Sequence, residues 1–143
     1  MNTETEQERR QRHFDIVWKG FETQGWKKSV LSIGGCAYRG ENGSKCGIGH
    51  LIPDDRYGLK LERNGVDRLL EGTIRVWDLT TNIYEYMKIT PFTDIMPLED
   101  RDFYQALQSA HDNSLDVSVS NSLKEEMIQF AKNWKLEVPS SPV

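Results

Sequence analysis

Residues 35–57 read GCAYRGENGSKCGIGHLIPDDRY and hold both cysteines of the chain, one of its three histidines and five of its eleven glycines. Upstream, Ser29 to Tyr38 carries Val30, Leu31 and Ile33 into Gly34-Gly35 and predicts a strand; Lys45 to Ile52 predicts its return. Asn42-Gly43 between them is a strong hairpin signal, and the length of the loop decides which side chains share a face. If Asn42-Gly43 is a two-residue turn, Cys36 stands opposite Gly49 and Arg39 opposite Cys46, and the two cysteines face apart. If Glu41 joins the loop and Gly43 takes the left-handed conformation, Tyr38 stands opposite Cys46 and Cys36 opposite Ile48. Cys36, Tyr38, Cys46, Ile48 and His50 then line one face. The sequence leaves both registers open.

Outward from this block the pattern is mostly helical. Thr3 or Thr5, followed by Glu6 or Glu8, is a capping box, and Phe14, Val17, Trp18 and Phe21 recur at helical spacing, so a helix is predicted from Glu4 to Gln24 with Gly25 as its stop. Pro53-Asp54-Asp55 predicts a turn. Asn64-Gly65 to Glu71, closed by Gly72, predicts a short helix with Val66, Leu69 and Leu70 inward. In Thr73 to Ile95 the signals divide: Ile74-Arg-Val-Trp77 reads as strand, and Ile83, Tyr86, Met87 and Thr90 read as helix. Leu98 to His111 predicts a helix with Phe103, Leu107, Ala110 and His111 on one side. A last helix starts at the capping box Ser122-Leu-Lys-Glu125 and carries Leu123, Met127, Phe130, Ala131 and Trp134 inward. The expected fold is α+β: a small antiparallel sheet centred on the Cys36 to His50 hairpin, packed against an N-terminal helix and two C-terminal helices. It forms a single domain over 1–143 whose ends, about 1–4 and 138–143, fray.

Composition narrows the function classes. At 37% hydrophobic and 28% charged, the chain is too apolar for a disordered one. A net charge of -4 supplies no general field for phosphate polymers, which makes nucleic acid an unlikely partner; Arg9, Arg10, Arg12 and His13, preceded by Glu4, Glu6 and Glu8, read as a helix face whose charges pair with each other. No apolar run reaches the roughly 18 residues that span a bilayer, and the first twenty lack the apolar core of a signal peptide. Two cysteines in a chain of this size need form no disulfide framework, so the expected location is the cytoplasm, with no membrane partner.

Cys36-Ala-Tyr-Arg-Gly40, Lys45-Cys-Gly-Ile-Gly-His-Leu-Ile-Pro-Asp54 and Leu107-Gln-Ser-Ala-His-Asp112, together about a quarter of the chain, resemble small uncharacterised proteins encoded by phages and prophage-bearing bacteria. The resemblance brings no catalytic residue with it. What it implies is an accessory protein of a phage or mobile element, a class whose members often neutralise a host factor or a signalling nucleotide.

Three constellations suit chemistry. Cys36, Cys46, His50 and His111 match the ligand types of zinc, although neither cysteine belongs to a close Cys-x-x-Cys pair, and each is equally a small buried hydrophobe. Cys36 or Cys46 as thiolate, His111 or His50 as base and Asp112 or Asp54 as orienter compose a nucleophilic site, against the alternative of a core histidine satisfied at a helix end. Tyr38, Arg39, Lys45, Gly47, Gly49 and His50 compose a ligand pocket, the glycines admitting a ligand and the cations holding an anion; the alternative is that Gly47 and Gly49 relieve crowding under a packed helix or ring. Trp26, Trp77, Tyr84 and Tyr86 serve either an aromatic binding surface or the core. The expected function is non-enzymatic binding of a host protein or a small anionic, nucleotide-like ligand. Its alternatives are a cysteine-dependent hydrolase or transferase and a structural-zinc module.

Overall fold

The computed structural model describes residues 3–27, 29, 37–40, 43–112 and 122–139. Helix α1, Glu6–Thr23, begins at the expected capping box: the Thr5 hydroxyl accepts the Glu8 N–H at 3.1 Å and the Glu8 carboxylate accepts the Thr5 N–H at 3.0 Å. It buries His13, Phe14, Val17, Trp18 and Phe21 and ends at Gln24, with Gly25 next in the left-handed region. Helix α3, Arg101–Asp112, and helix α4, Ser122–Trp134, bring the matching apolar faces, and Phe14 of α1 stacks on Phe130 of α4 with centroids 5.9 Å apart. Ser122, expected as the cap of the last helix, is instead the first residue of α4, and the residue before it lies outside the described residues.

The basic run on α1 is tied into this core. Arg9 and Arg10 both reach the carboxylate of buried Asp100, at 3.4 and 2.5 Å, Arg10 also pairs with Glu6 and lies over the rings of Phe103 and Trp134, and Arg12 pairs with Glu4. His13 is buried with its Nδ1 2.7 Å from the Tyr104 hydroxyl. Arg10 with Glu6 and Arg12 with Glu4 pair within the run, as expected, while Asp100 is a partner from far along the chain.

Helix α2, Val66–Glu71, turns Val66, Leu69 and Leu70 inward and stops at Gly72, φ +83°, which a side chain would strain and where a Cβ would also run into Pro91. Strands β1, Thr73–Asp78, and β2, Ile83–Lys88, follow as an antiparallel hairpin with Arg75 opposite Tyr86 and Trp77 opposite Tyr84. The α+β class is observed, and among the described residues this hairpin is its sheet; the strand expected over Ser29 to Tyr38 lies mostly outside the described residues. Around Asn42-Gly43 the described residues contribute one antiparallel bridge, Arg39 to Lys45, and beyond Cys46 the chain coils into a 3-10 turn, Ile48–Leu51, instead of continuing as a strand. Coiling buries Ile48, Leu51 and Ile52 together, whereas a strand would send neighbouring residues to opposite faces. The helical pattern read in Ile83 to Thr90 is likewise corrected: Ile83–Lys88 is strand, and since all six residues are exposed their spacing records no buried face.

No helix among the described residues is long and apolar enough to cross a membrane.

Candidate functional site

The bridge at Arg39 and Lys45 selects between the two registers. The Cys46 N–H donates to the Tyr38 carbonyl at 3.2 Å, the Gly40 N–H donates to the Ser44 carbonyl at 2.9 Å, and Gly43 has φ +73°. This is the register of the loop that includes Glu41. Glu41, Asn42 and Cys36 themselves lie outside the described residues, so whether Cys36 shares the face of Cys46 does as well. His50 follows Cys46 through the 3-10 turn, not through strand alternation.

Cys46 and His111, which the sequence marks for chemistry, have structural tasks. Cys46 is fully buried, its sulfur accepts the Gly49 N–H at 3.2 Å, and burial pushes its thiol far above the usual range, away from the thiolate that nucleophilic attack and metal binding need. His111 is fully buried and lies parallel to the Phe21 ring. Its Nε2 is 2.9 Å from the Ser29 backbone nitrogen, which has only a proton to give, so Nε2 accepts and the proton sits on Nδ1, facing Asp112 at 3.0 Å. The lone pair a general base would use is thereby engaged. Among the described residues no three His, Cys, Asp or Glu side chains gather as metal ligands.

The expected ligand pocket divides. Tyr38 is buried and gives its hydroxyl proton to the Asn64 carbonyl. Glu62, also buried, accepts the Tyr38 N–H at 2.8 Å, the Arg39 N–H at 3.1 Å and the Tyr57 hydroxyl at 2.5 Å. Arg39 lies over the Tyr57 ring at 4.5 Å and donates to the Ile52 carbonyl and to Asp54. A Cβ on Gly49 would run into the Tyr38 carbonyl oxygen, and one on Gly47 would press on the Leu107 carbonyl of α3, so both glycines serve close packing. Lys45 and His50 instead line an open cleft of about 450 Å³ with Lys19, Gly20, Thr23 and Gln24. Burial, and after it the Lys45 charge, lowers the His50 pKa to about 4, so the ring is neutral near pH 7.

A different surface emerges on the β1–β2 hairpin. Alternation sets Ile74 in the core and turns Arg75, Trp77, Tyr84, Tyr86 and Lys88 to the other face, where Tyr86 is 65% exposed. The Arg75 guanidinium lies 4.1 Å from the Tyr84 centroid, the Arg68 guanidinium of α2 lies 5.5 Å from that of Tyr86, and Trp77 meets Tyr84 edge to face at 4.9 Å. Arg9, Arg10, Arg12, Arg39, Arg56 and Arg101 each hold a carboxylate. Arg68 and Arg75 hold rings and, among the described residues, no carboxylate. Asp78 and Glu85 sit on the opposite face. Of the aromatic residues weighed for surface or core, Trp26 packs against Trp18 in the core, and Trp77, Tyr84 and Tyr86 are surface.

The edges of the hairpin differ. Along β1 the Asn64 carboxamide donates to the Arg75 carbonyl at 3.0 Å and accepts the Arg75 N–H at 2.7 Å, as a neighbouring strand would. Among the described residues β2 pairs only with β1, and all six of its residues are exposed. Sequence alternation in Ile74 to Trp77 and Tyr84 to Tyr86, around the turn-forming Asp78 to Asn82, was the available signal for this surface.

Comparison with protein-family models, with curated proteins and with solved structures finds no match.

Proposed function

We propose that the chain is a non-enzymatic binding protein, an accessory of a phage or mobile element, that captures a host protein through the β1–β2 hairpin. One observation carries the reading: this hairpin exposes Trp77, Tyr84 and Tyr86 beside two arginines that, among the described residues, pair with no carboxylate. Tryptophan, tyrosine and arginine are the residues that dominate binding energy at protein interfaces, because they bury much area for little lost side-chain freedom. Leu79 and Ile83 extend the exposed apolar surface at the turn. The phage-type motifs supply the context, and a location in a bacterial cytoplasm belongs to the same proposal. A second reading, a small anionic ligand, is favoured by the two lysines that overhang the cleft at His50.

The test immobilises the full chain, the hairpin variant W77A/Y84A and the cleft variant K19Q/K45Q, and passes bacterial extract over each. Proteins retained by the wild type and the cleft variant but lost from the hairpin variant are the expected result. Retention that survives W77A/Y84A sinks the reading. A small molecule carried by the wild type and missing from K19Q/K45Q would move the function to the cleft.

A further inference from the structure

The hairpin's chemistry specifies more than a sticky surface. We infer that its occupant is an extended, acidic segment of the partner protein, added as a third strand along the outer edge of β2. This rests on the hairpin being the working surface, and goes beyond it by stating what binds and how.

The backbone comes first. A strand edge with no neighbour presents amide and carbonyl groups whose pairing an extended peptide can complete, and proteins blunt such edges when they are not used. Here the β1 edge is closed at Arg75 by Asn64, while β2 is exposed throughout. Glu85 in the middle and Lys88 at one end are the charged side chains of β2, which leaves Ile83, Tyr84, Tyr86 and Met87 uncharged along the edge.

Side chains then set the chemistry. A strand added to β2 lies about 4.8 Å from it and continues both faces of the sheet. On one face its neighbours are Tyr84, Tyr86 and Lys88. The guanidiniums of Arg75, on β1, and Arg68, on α2, lie over the two tyrosine rings of β2, the strand that carries the open edge. Carboxylates at alternate positions of the added strand would meet three cations there, in a cluster that holds no carboxylate of its own among the described residues. On the other face the neighbours are Ile83 and Met87, both exposed, with Glu85 between them. The complement is a segment that alternates acidic with apolar residues.

Two other occupants fit less well. A second copy of this chain, paired edge to edge with like faces together, would place Lys88, Arg68 and Arg75 beside their own duplicates. A single-stranded nucleic acid would use the arginines and the rings, but would leave Leu79, Ile83 and Met87 without a counterpart and would meet a chain of net charge -4.

The test presents the full chain with a fluorescein-labelled peptide of alternating Glu and Val, with the same peptide carrying Lys for Glu, and with oligo-dT of matching length. Anisotropy reads binding and hydrogen exchange reads the β2 amides. The expected result is that the acidic peptide binds, slows exchange across residues 83–88 and loses affinity about tenfold in R68Q/R75Q, while the Lys peptide does not bind. Preference for oligo-dT overturns the inference, as does binding of the acidic peptide that leaves β2 exchange or R68Q/R75Q affinity unchanged. Self-association of the chain that R68Q/R75Q strengthens and the peptide abolishes makes a second copy the occupant and overturns it too. If the acidic peptide fails to bind while W77A/Y84A still abolishes capture from extract, the inference falls and the hairpin reading stands. If capture ignores the hairpin variant, the reading itself falls.

Discussion

Two arginines in this molecule make the same local contact and have different fates. Arg39 lies over Tyr57 at 4.5 Å and Arg75 over Tyr84 at 4.1 Å. Around Arg39, however, the Tyr57 hydroxyl is bound by Glu62, the backbone N–H of Arg39 by the same carboxylate, and the guanidinium by Asp54 and the Ile52 carbonyl. Around Arg75 no carboxylate answers. A cation over a ring thus becomes structural or available according to whether acidic groups close the circuit. The Tyr38–Asn64 region is wired inward, and the hairpin is left with interactions to make.

The contrast is sharpest in stability. Glu62→Ala removes the acceptor shared by three donors, two of them backbone, and should cost roughly 3–5 kcal/mol, read as a lower urea midpoint. A loss below about 1 kcal/mol would break the comparison, since the network would then be decoration. Gly49→Ala drives a methyl group into the Tyr38 carbonyl and should cost about 2–3 kcal/mol in the same measurement.

Acid should act on the inward region as well. Burial lowers the pKa of His13 and of His50 to about 4, so between the unfolded value near 6.5 and about 4 the unfolded chain binds more protons than the folded one. Stability therefore falls as pH drops through that window and levels off below it with respect to these two groups. His50→Gln should flatten part of the slope, and an unchanged slope would remove His50 from the account. The smallest expected change is in the hairpin: W77A/Y84A, both exposed, should move stability by less than about 1 kcal/mol even as it abolishes partner capture. A large destabilisation would make the hairpin part of the wired region and end the contrast.

The sequence was most readable where burial and local chemistry agree. Thr5 with Glu8, Phe14 to Phe21, Gly72 and the Phe103, Leu107, Ala110, His111 stripe each declare an element, because a capped helix over a core needs those residues at that spacing. Gly43 marked the loop, and one of the two registers weighed is the one observed. The turn at Ile48 was hidden because Gly47 and Gly49 suit a strand bulge as well as close packing under Leu107 and Tyr38, and that packing comes from residues far along the chain. Strand β2 was hidden for the opposite reason: nothing covers it, so its apolar spacing answers to no core. The aromatic residues of the surface were noticed, but their surface role depends on Arg68 and Arg75 lacking acidic partners, a fact of three-dimensional neighbourhood.

The pair of bonds between Asn64 and Arg75 also bears on stoichiometry. A hairpin with two open edges can be extended from both sides, and chains joined that way propagate into fibres. At Arg75 one side chain imitates a neighbouring strand, so the hairpin itself offers a single edge for pairing, that of β2. Under the proposed reading each chain would take up one segment, and Asn64→Ala is the change that would turn a stopper into a second port.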